Sequence, residues 1–559
     1  MLLVLIAAAA SFTITFCRGA PQVQLGNSIL TGTQNTGQTE FFGGEFFQRI
    51  VIIVSIDIDD TGIPYAEPPI GQLRFAPPVL KTDPGVPTID ASKYGVSCPV
   101  GGQSDPNEDC LTINVLRPLG TSSGAGLPVM VWIYGGGFQA GDASQYDGTG
   151  FAIAGINRGT PIIYVNFNYR LGALGFPQGL EATSRGALNL GLKDMLTALD
   201  WVQQNIAAFG GNPSQVTLFG QSAGSVALAN LFLNSNLESL AHAAIFESGA
   251  QSTLPMFPGS RRDRDWQNFV AAVPECSGVS SNDTFDCLRE ANVSTILDAQ
   301  GAASGQADEQ FPWAPVIDGE GGTIPDLPSK LLAAGKFSRL PFISGSNLDE
   351  GTQFVSTSLS SDEQLMQFLV NFIDPAETGS TPSAVQSAAN SLLGLYPDDP
   401  SQGSPYGTGN NTFGLGSEYK RAAAIAGDIW FHSVRRAWNQ AASEQGVPVF
   451  AYLFADPQAA SNPAQGGEFH CLELGYVFGQ PGSEPARTLS AVMKDYWISF
   501  ATSLNPNDGK GNSRPTWTQY MPLNQVVMQL QGSNTTVIPD TYRAQQIAFI
   551  NSEPATFNH

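Results

Sequence analysis

Gly220-Gln221-Ser222-Ala223-Gly224 sets a serine between two glycines in the order Gly-x-Ser-x-Gly. That spacing suits a serine held in a tight strand-to-helix turn, where a neighbouring base can take its proton and the oxygen can attack a carbonyl carbon. A chain with 60 glycines can produce the pattern by accident, so the flanking residues decide. Val216–Phe219 (VTLF) leads in as an apolar strand, and the small-residue run SVALANLFL leads out as a helix. The junction predicts a strained serine at a helix N-terminus, where the dipole favours developing negative charge.

Acyl transfer needs N–H donors for the oxyanion, a base and an acid. Gly135-Gly136-Gly137-Phe138 follows the apolar run VMVWIY and can present successive amides with no side chain in the way. The Ala223 N–H, next to the serine, adds a third donor. The chain has four histidines. His559 is terminal, His242 precedes the strand-like AAIFES, and His432 sits in the helical stretch IWFHSVRRAW as a packed or surface residue. His470 lies in the loop GGEFH beyond the strand VFAYLF, the kind of place a general base occupies. The acid is expected between serine and histidine in chain order. Asp349 and Glu350, just past LPFISGS, both qualify, and the pattern of residues does not choose between them.

These groups need a scaffold. Short apolar runs bounded by turn residues alternate with amphipathic stretches. Strands are predicted at Val129–Tyr134, Ile162–Tyr169, Val216–Phe219, Ala243–Glu247, Leu340–Ser344 and Val449–Phe454. Leu192, Met195, Leu196, Leu199, Val202 and Ile206 fall at helical spacing, and Gly210-Gly211-Asn212-Pro213 is expected to end that helix. Strand–helix alternation implies an α/β fold: a mostly parallel sheet with helices on both faces and chemistry at the carboxyl ends of its strands.

Composition narrows the partners. Against 49 Asp+Glu stand 26 Lys+Arg, a formal charge of −23. Such a surface repels nucleic-acid phosphates and anionic membranes, leaving a small molecule as the expected partner. Met1–Ala10 (MLLVLIAAAA) continues apolar to Phe16, and Cys17 and Gly19 are small enough for positions −3 and −1 of a cleavage site. Residues 1–19 therefore read as a signal peptide, although the usual basic start is missing. No later segment is long and apolar enough to anchor the chain. The sequons at Asn282, Asn292, Asn410 and Asn534 fit a secreted glycoprotein. Of six cysteines, Cys17 leaves with the leader. Cys98 and Cys110, then Cys276 and Cys287, bracket polar stretches, and local pairing is the simplest reading. Cys471 is left over.

The stretches IPYAEPPIGQLRF (63–75), EDCLTINVLRP (108–118), VMVWIYGGGF (129–138), NYRLGALGF (168–176), GNPSQVTLFGQSAGS (211–225), ESGA (247–250), LDEGT (348–352) and HCLELGYVFG (470–479) together resemble the type-B carboxylesterase/lipase family of α/β-hydrolases, which includes fungal lipases and cholinesterases. The resemblance implies Ser222 as nucleophile, His470 as base and Glu350 as acid, with Asp349 its structural neighbour. It implies Gly136, Gly137 and Ala223 as oxyanion donors, and two disulfides, Cys98–Cys110 and Cys276–Cys287. It also implies one enlarged α/β-hydrolase domain over residues 20–559 where length alone suggested several.

Three departures from the family pattern stand out. Only eleven polar residues lie between Cys98 and Cys110, where the family's lipases and cholinesterases carry a long lid or gorge loop. A lid needs an apolar inner face, so activation at an oil interface is not expected, and the choline-binding tryptophan has no counterpart. Cys471 follows the histidine where a small residue is usual, and is read as a packed apolar group. Last, FFGG (41–44) and IPYAEPP (63–69) are separated by Glu45–Gly62, EFFQRIVIIVSIDIDDTG. These eighteen residues read as a retained intron and not a genuine hairpin. Gly-Glu-Phe can be encoded with the splice donor GTGAGT and Thr-Gly with the acceptor CAG, and the reading frame survives. Translated, the RIVIIVSI run is a β-rich aggregation hazard.

The expected activity is hydrolysis of small or medium uncharged carboxylic esters through an acyl-enzyme, with no metal or cofactor. The alternatives are a triacylglycerol lipase or sterol esterase and, from another class, a catalytically inactive cholinesterase-like binding module. Phe138 and Trp313 are candidates for the pocket wall.

Overall fold

Unbroken apolar runs form strands here because both faces of the sheet they join are covered, so no polar alternation is needed. The structure, a computed structural model, describes residues 20–559 apart from 36, 44–61, 82, 235, 281–282, 375–382, 458–463 and 480. Met1–Gly19, expected to be a signal peptide, Asn282 and all of Glu45–Gly62 except Gly62 lie outside the described residues.

Among the described residues a twelve-stranded sheet organises the molecule. Its parallel part runs in the order Val526–Leu530, Val449–Phe454, Phe342–Asn347, Ala243–Glu247, Gly211–Gln221, Leu127–Ile133 and Ile163–Phe167. Antiparallel strands close both edges: Thr536–Pro539 on one side, and Thr112–Pro118, Thr39–Phe42 and Thr33–Gln34 on the other. Every residue of Ile163–Phe167, Ala243–Glu247, Phe342–Asn347 and Val449–Phe454 is buried. The fold is thus the mixed, mostly parallel α/β architecture the sequence implies.

Chain order explains where the site lies. From Leu127–Ile133 the chain crosses to Ile163–Phe167 on one side, then returns to Gly211–Gln221 on the other. That reversal is a topological switch point, which leaves a crevice at the carboxyl ends of the two diverging strands. One of them ends at Gly135–Gly137 and the other at Ser222.

Four of the six predicted strands shift their bounds, two of them slightly: Val129–Tyr134 is observed as Leu127–Ile133 and Ile162–Tyr169 as Ile163–Phe167. Gly210 does end the helical segment, with φ +90°, but the next strand starts at once, Gly211 pairing with Leu127 before the register slips ahead of Val216. The irregular turn signals at 212–214 are absorbed as a bulge. The strand expected at Leu340 begins at Phe342, since Pro341 has no N–H to give a ladder. The amphipathic helix spans Leu190–Asn205, with Leu192, Met195, Leu199 and Val202 buried.

Cys98 is bonded to Cys110 and Cys276 to Cys287. Residues 99–109 form no helix or strand, and a buried ion pair between Arg74 and Glu108 ties the loop to the body. Asn292, Asn410 and Asn534 are all exposed. No described helix is long and apolar enough to cross a membrane.

Candidate active site

The turn at Ser222 is built by small residues. Ser222 has φ +54° and ψ −128°, a conformation L residues adopt only when their surroundings force it. Its N–H donates to Glu247 O at 2.9 Å, locking the turn to the neighbouring strand. A Cβ on Gly224 would lie 2.1 Å from Ile133 O, so only glycine lets the outgoing helix, Ala223–Leu231, pack so close to the sheet. The glycines of the pattern are therefore packing requirements as well as a signature.

Ser222 Oγ lies 2.7 Å from His470 Nε2, and His470 Nδ1 lies 2.6 Å from Glu350 Oε2. The remaining Glu350 oxygen accepts the Asn347 N–H at 2.7 Å, and Gln221 Nε2 stands 3.3 Å from His470 Nε2. Glu350 is fully buried and His470 nearly so. With the Nδ1–H donated to Glu350, the free Nε2 lone pair faces the serine hydroxyl, the arrangement a general base requires. Ser222 and Glu350 closely follow the strands Gly211–Gln221 and Phe342–Asn347, and His470 lies in the loop region beyond Val449–Phe454, so the three are far apart in sequence. Among the described residues, the N–H groups of Gly136, Gly137 and Ala223 meet no acceptor. Gly136 and Gly137, at φ +118° and +63°, adopt backbone conformations that favour glycine.

The choice left open between the two acids is made by packing. Asp349 does not reach the histidine; its carboxyl accepts from Ser404 Oγ at 2.7 Å, Tyr406 N at 2.9 Å and Glu468 N at 3.0 Å. Behind the triad sit two further carboxyls that sequence reasoning missed. Glu473 bonds Asn347 Nδ2, and burial together with the charge of Glu350 pushes it up to about 7. Burial and the charge of Glu473 hold Glu247, which accepts the Trp497 indole N–H at 2.7 Å, well above the carboxylate range. Burial pushes the Cys471 thiol up to about 12, so it is neutral, and it carries φ +67°.

The other histidines stay away from the site. His432 is buried against Tyr542, where burial holds it well below its usual value, and His242 contacts Val216 O. His559 is also buried, far below its ordinary range for the same reason.

Phe138 and Trp313 are core residues, the first edge-on to Phe176 and the second against Phe269 with its indole N–H on Ser304 Oγ. The walls near the triad come instead from Phe354 and Phe431, whose rings lie 5.2 and 4.8 Å from that of His470. Trp430, whose ring lies 5.2 Å from that of Phe354, also lines a cavity of about 170 Å³ with Leu254, Phe257, Phe311, Phe368 and Phe372 and with polar residues that include Arg262, Asp308 and Glu309. Phe311 joins it to the glycine loop: a Cβ on Gly137 would lie 2.5 Å from its ring. Phe368, Phe372, Trp430 and Phe431 lie on helices and Phe257, Phe311 and Phe354 in loops, none of them within a motif. A run such as IAGDIWFH signals only an apolar helix. Among the described residues no cluster of His, Cys, Asp and Glu is arranged to hold a metal ion.

Comparison with known proteins agrees with this architecture. Residues 61–550 match the model of the carboxylesterase family. Secreted lipase 1 of Botryotinia fuckeliana is 34% identical over 89% of both chains. The secreted triacylglycerol lipase LIP1 of Gibberella zeae is 32% identical over 88% of this chain and 86% of its own. The crystal structure of Aspergillus niger EstA superposes with a TM-score of 0.80 at 26% identity, covering 97% of this chain and 99% of that one. With an α/β-hydrolase sheet and this match over most of its length, the chain belongs to the carboxylesterase family and is a serine-type ester hydrolase.

Proposed function

We propose that the protein is a secreted hydrolase of uncharged carboxylic esters, working as one unit over residues 20–559, with Ser222 as nucleophile, His470 as base and Glu350 as the acid that orients it. The observation that carries this reading is the unbroken relay from Ser222 Oγ through His470 to Glu350, at 2.7 and 2.6 Å. His470 Nε2 takes the serine proton as Oγ attacks the ester carbonyl carbon. The N–H groups of Gly136, Gly137 and Ala223 hold the oxyanion, and Glu350 stabilises the imidazolium. The tetrahedral intermediate collapses as His470 protonates the leaving alcohol. Water, deprotonated by the same nitrogen, then releases the acid.

The relatives favour a lipid ester as substrate over the small esters expected from the sequence, since two of them are lipases by name. An apolar acyl chain also suits the aromatic-lined cavity beside Gly137. We therefore take acylglycerols as the leading substrate class. The short, polar 99–109 loop supports a second reading, turnover of dispersed short-chain esters without an oil interface. Rates on emulsified long-chain triglyceride and on tributyrin, measured below and above its solubility limit, separate the two. A jump above that limit with good long-chain turnover supports the lipase; saturation in the dissolved range with no long-chain turnover supports the second reading. Ser222→Ala tests the reaction itself: turnover falls by about 10⁴-fold or more and labelling by a phosphonate probe disappears. Near-parental activity in that variant would refute the assignment.

A further inference from the structure

Outside the triad, the loop that brings His470 into place carries a second ionisable group, Glu468. Glu468 is 7% exposed and Asp349 1%. The Glu468 N–H donates to Asp349 Oδ2, and the two carboxyl groups are themselves hydrogen-bonded. Two carboxyls in contact must share a proton, since neither has a donor when both are ionised. Asp349 already accepts from Ser404 Oγ, Tyr406 N and Glu468 N, so the proton belongs to Glu468.

The contact joins the two halves of the catalytic apparatus. Asp349 immediately precedes Glu350, and Glu468 lies two residues before His470. The same seam is fastened by Thr352 Oγ1 on Gly466 O at 2.8 Å and Tyr419 Oη on Gln465 O at 3.1 Å. Gly467 leaves room for it, as a Cβ there would stand 2.3 Å from Asp349 Oδ2.

We propose that Glu468 is a positioning residue: while protonated it clamps the His470 loop onto the Glu350 turn through Asp349, and loss of that proton sets the alkaline limit of activity. The inference rests on the triad proposed above.

The surroundings support it. Asp456 and Tyr476 act electrostatically with Glu468, and Lys420, Tyr406 and Tyr419 act with Asp349. Lys420 is the one cation in this set, and its Nζ is bonded to Thr408 Oγ1 and Gly409 O. Burial first, then the bond to Asp349 and its charge, then Asp456, push the Glu468 carboxyl up to about 8. Below that pH the clamp is neutral at Glu468. Above it, two buried negative charges meet with no proton between them, and the loop moves to separate them. Displacing His470 from 2.7 Å loses the aligned proton transfer.

The test is the pH profile of kcat/KM on a neutral ester whose alcohol does not ionise, followed by pH-stat titration from pH 6 to 10. The parent is expected to lose activity by about tenfold per pH unit above its break near 8, reversibly and with unchanged near-UV circular dichroism. Glu468→Gln, which keeps a neutral donor, is expected to show no such break, whatever its absolute rate. A merely structural role would move the unfolding midpoint of Glu468→Gln and leave the break in place. A parent profile level to pH 9.5, or a break retained in Glu468→Gln, overturns the proposal. If the variant does not fold, infrared difference spectra decide, recorded in a Glu473→Gln/Glu247→Gln background so that those two raised carboxyls give no band: a protonated-carboxyl band titrating with the same break supports the clamp, and its absence refutes it. Phosphonate labelling of Ser222 at pH 7 reports on the triad separately, so failure of that reading is distinguishable from failure of the clamp.

Discussion

Glu350 Oε2 lies 2.6 Å from His470 Nδ1, while the adjacent carboxyl of Asp349 is occupied by Ser404, Tyr406 and Glu468. Glu350→Gln removes the charge that stabilises the imidazolium and can present an N–H where an acceptor is needed, favouring the wrong histidine tautomer. Turnover is expected to drop by about 10³- to 10⁴-fold with a small change in KM. Steady-state kinetics on a soluble ester check this, and a loss below tenfold would remove Glu350 from the triad.

Cys471 holds φ +67° directly after the histidine, a conformation glycine adopts without strain. Cys471→Gly is expected to raise stability by about 0.5–1 kcal/mol, seen as a higher denaturant midpoint at unchanged slope. Because the thiol is pushed up to about 12, iodoacetamide at pH 7 should leave the parent active. Rapid inactivation with alkylation at Cys471 would contradict the neutral, packed reading of this residue.

Glu473 links stability to pH. Its folded value of about 7 exceeds the ordinary carboxyl value of 4.5 through burial first and then the charge of Glu350. Below about 4.5 both folded and unfolded chains hold this proton. Between 4.5 and 7 only the folded chain does, so stability falls as pH rises through that window, by up to about 1.4 kcal/mol per pH unit from this group. Glu473→Gln should flatten that part of the curve of unfolding free energy against pH. An identical slope in parent and variant would show that Glu473 does not hold the proton.

Phe42 pairs with Val115 and Ile63 with Ile113, so the chain returns to the same edge of the same strand after the Glu45–Gly62 segment. Joining Gly44 to Ile63 leaves Gly43 and Gly44 opposite the single residue Asn114, the count of a β-bulge, which glycines tolerate. A chain lacking Glu45–Gly62 is therefore expected to fold, to accept a phosphonate at Ser222 and to aggregate less on expression. Sequencing of cDNA across the segment tests its intronic origin, and a transcript population uniformly encoding it would exclude that origin. An insoluble deletion variant beside a soluble parent would make the segment part of the fold.

Much of the site was legible in the sequence because its constraints are local. Gly224 sits where a Cβ would strike Ile133 O, and the glycine loop needs backbone angles that other residues resist; steric demands of this kind leave a spacing that can be read. The unbroken apolar runs Ala243–Glu247 and Val449–Phe454 likewise became buried strands with the boundaries their composition predicts. By itself, then, the sequence determined the six central strands, the turn at Ser222, the Gly135–Gly137 loop and the candidate base. The residue pattern did not choose between Asp349 and Glu350; the family resemblance implied Glu350, and the tertiary structure brings it to His470, sets Phe354 and Phe431 against that ring, and puts Glu468 against Asp349. Each of those outcomes depends on contacts between segments far apart in the chain, where no short pattern records which side chain is nearest. The carboxyl that reaches the histidine is selected by the packing of two loops at the switch point of the sheet, a property of the assembled fold and not of either loop.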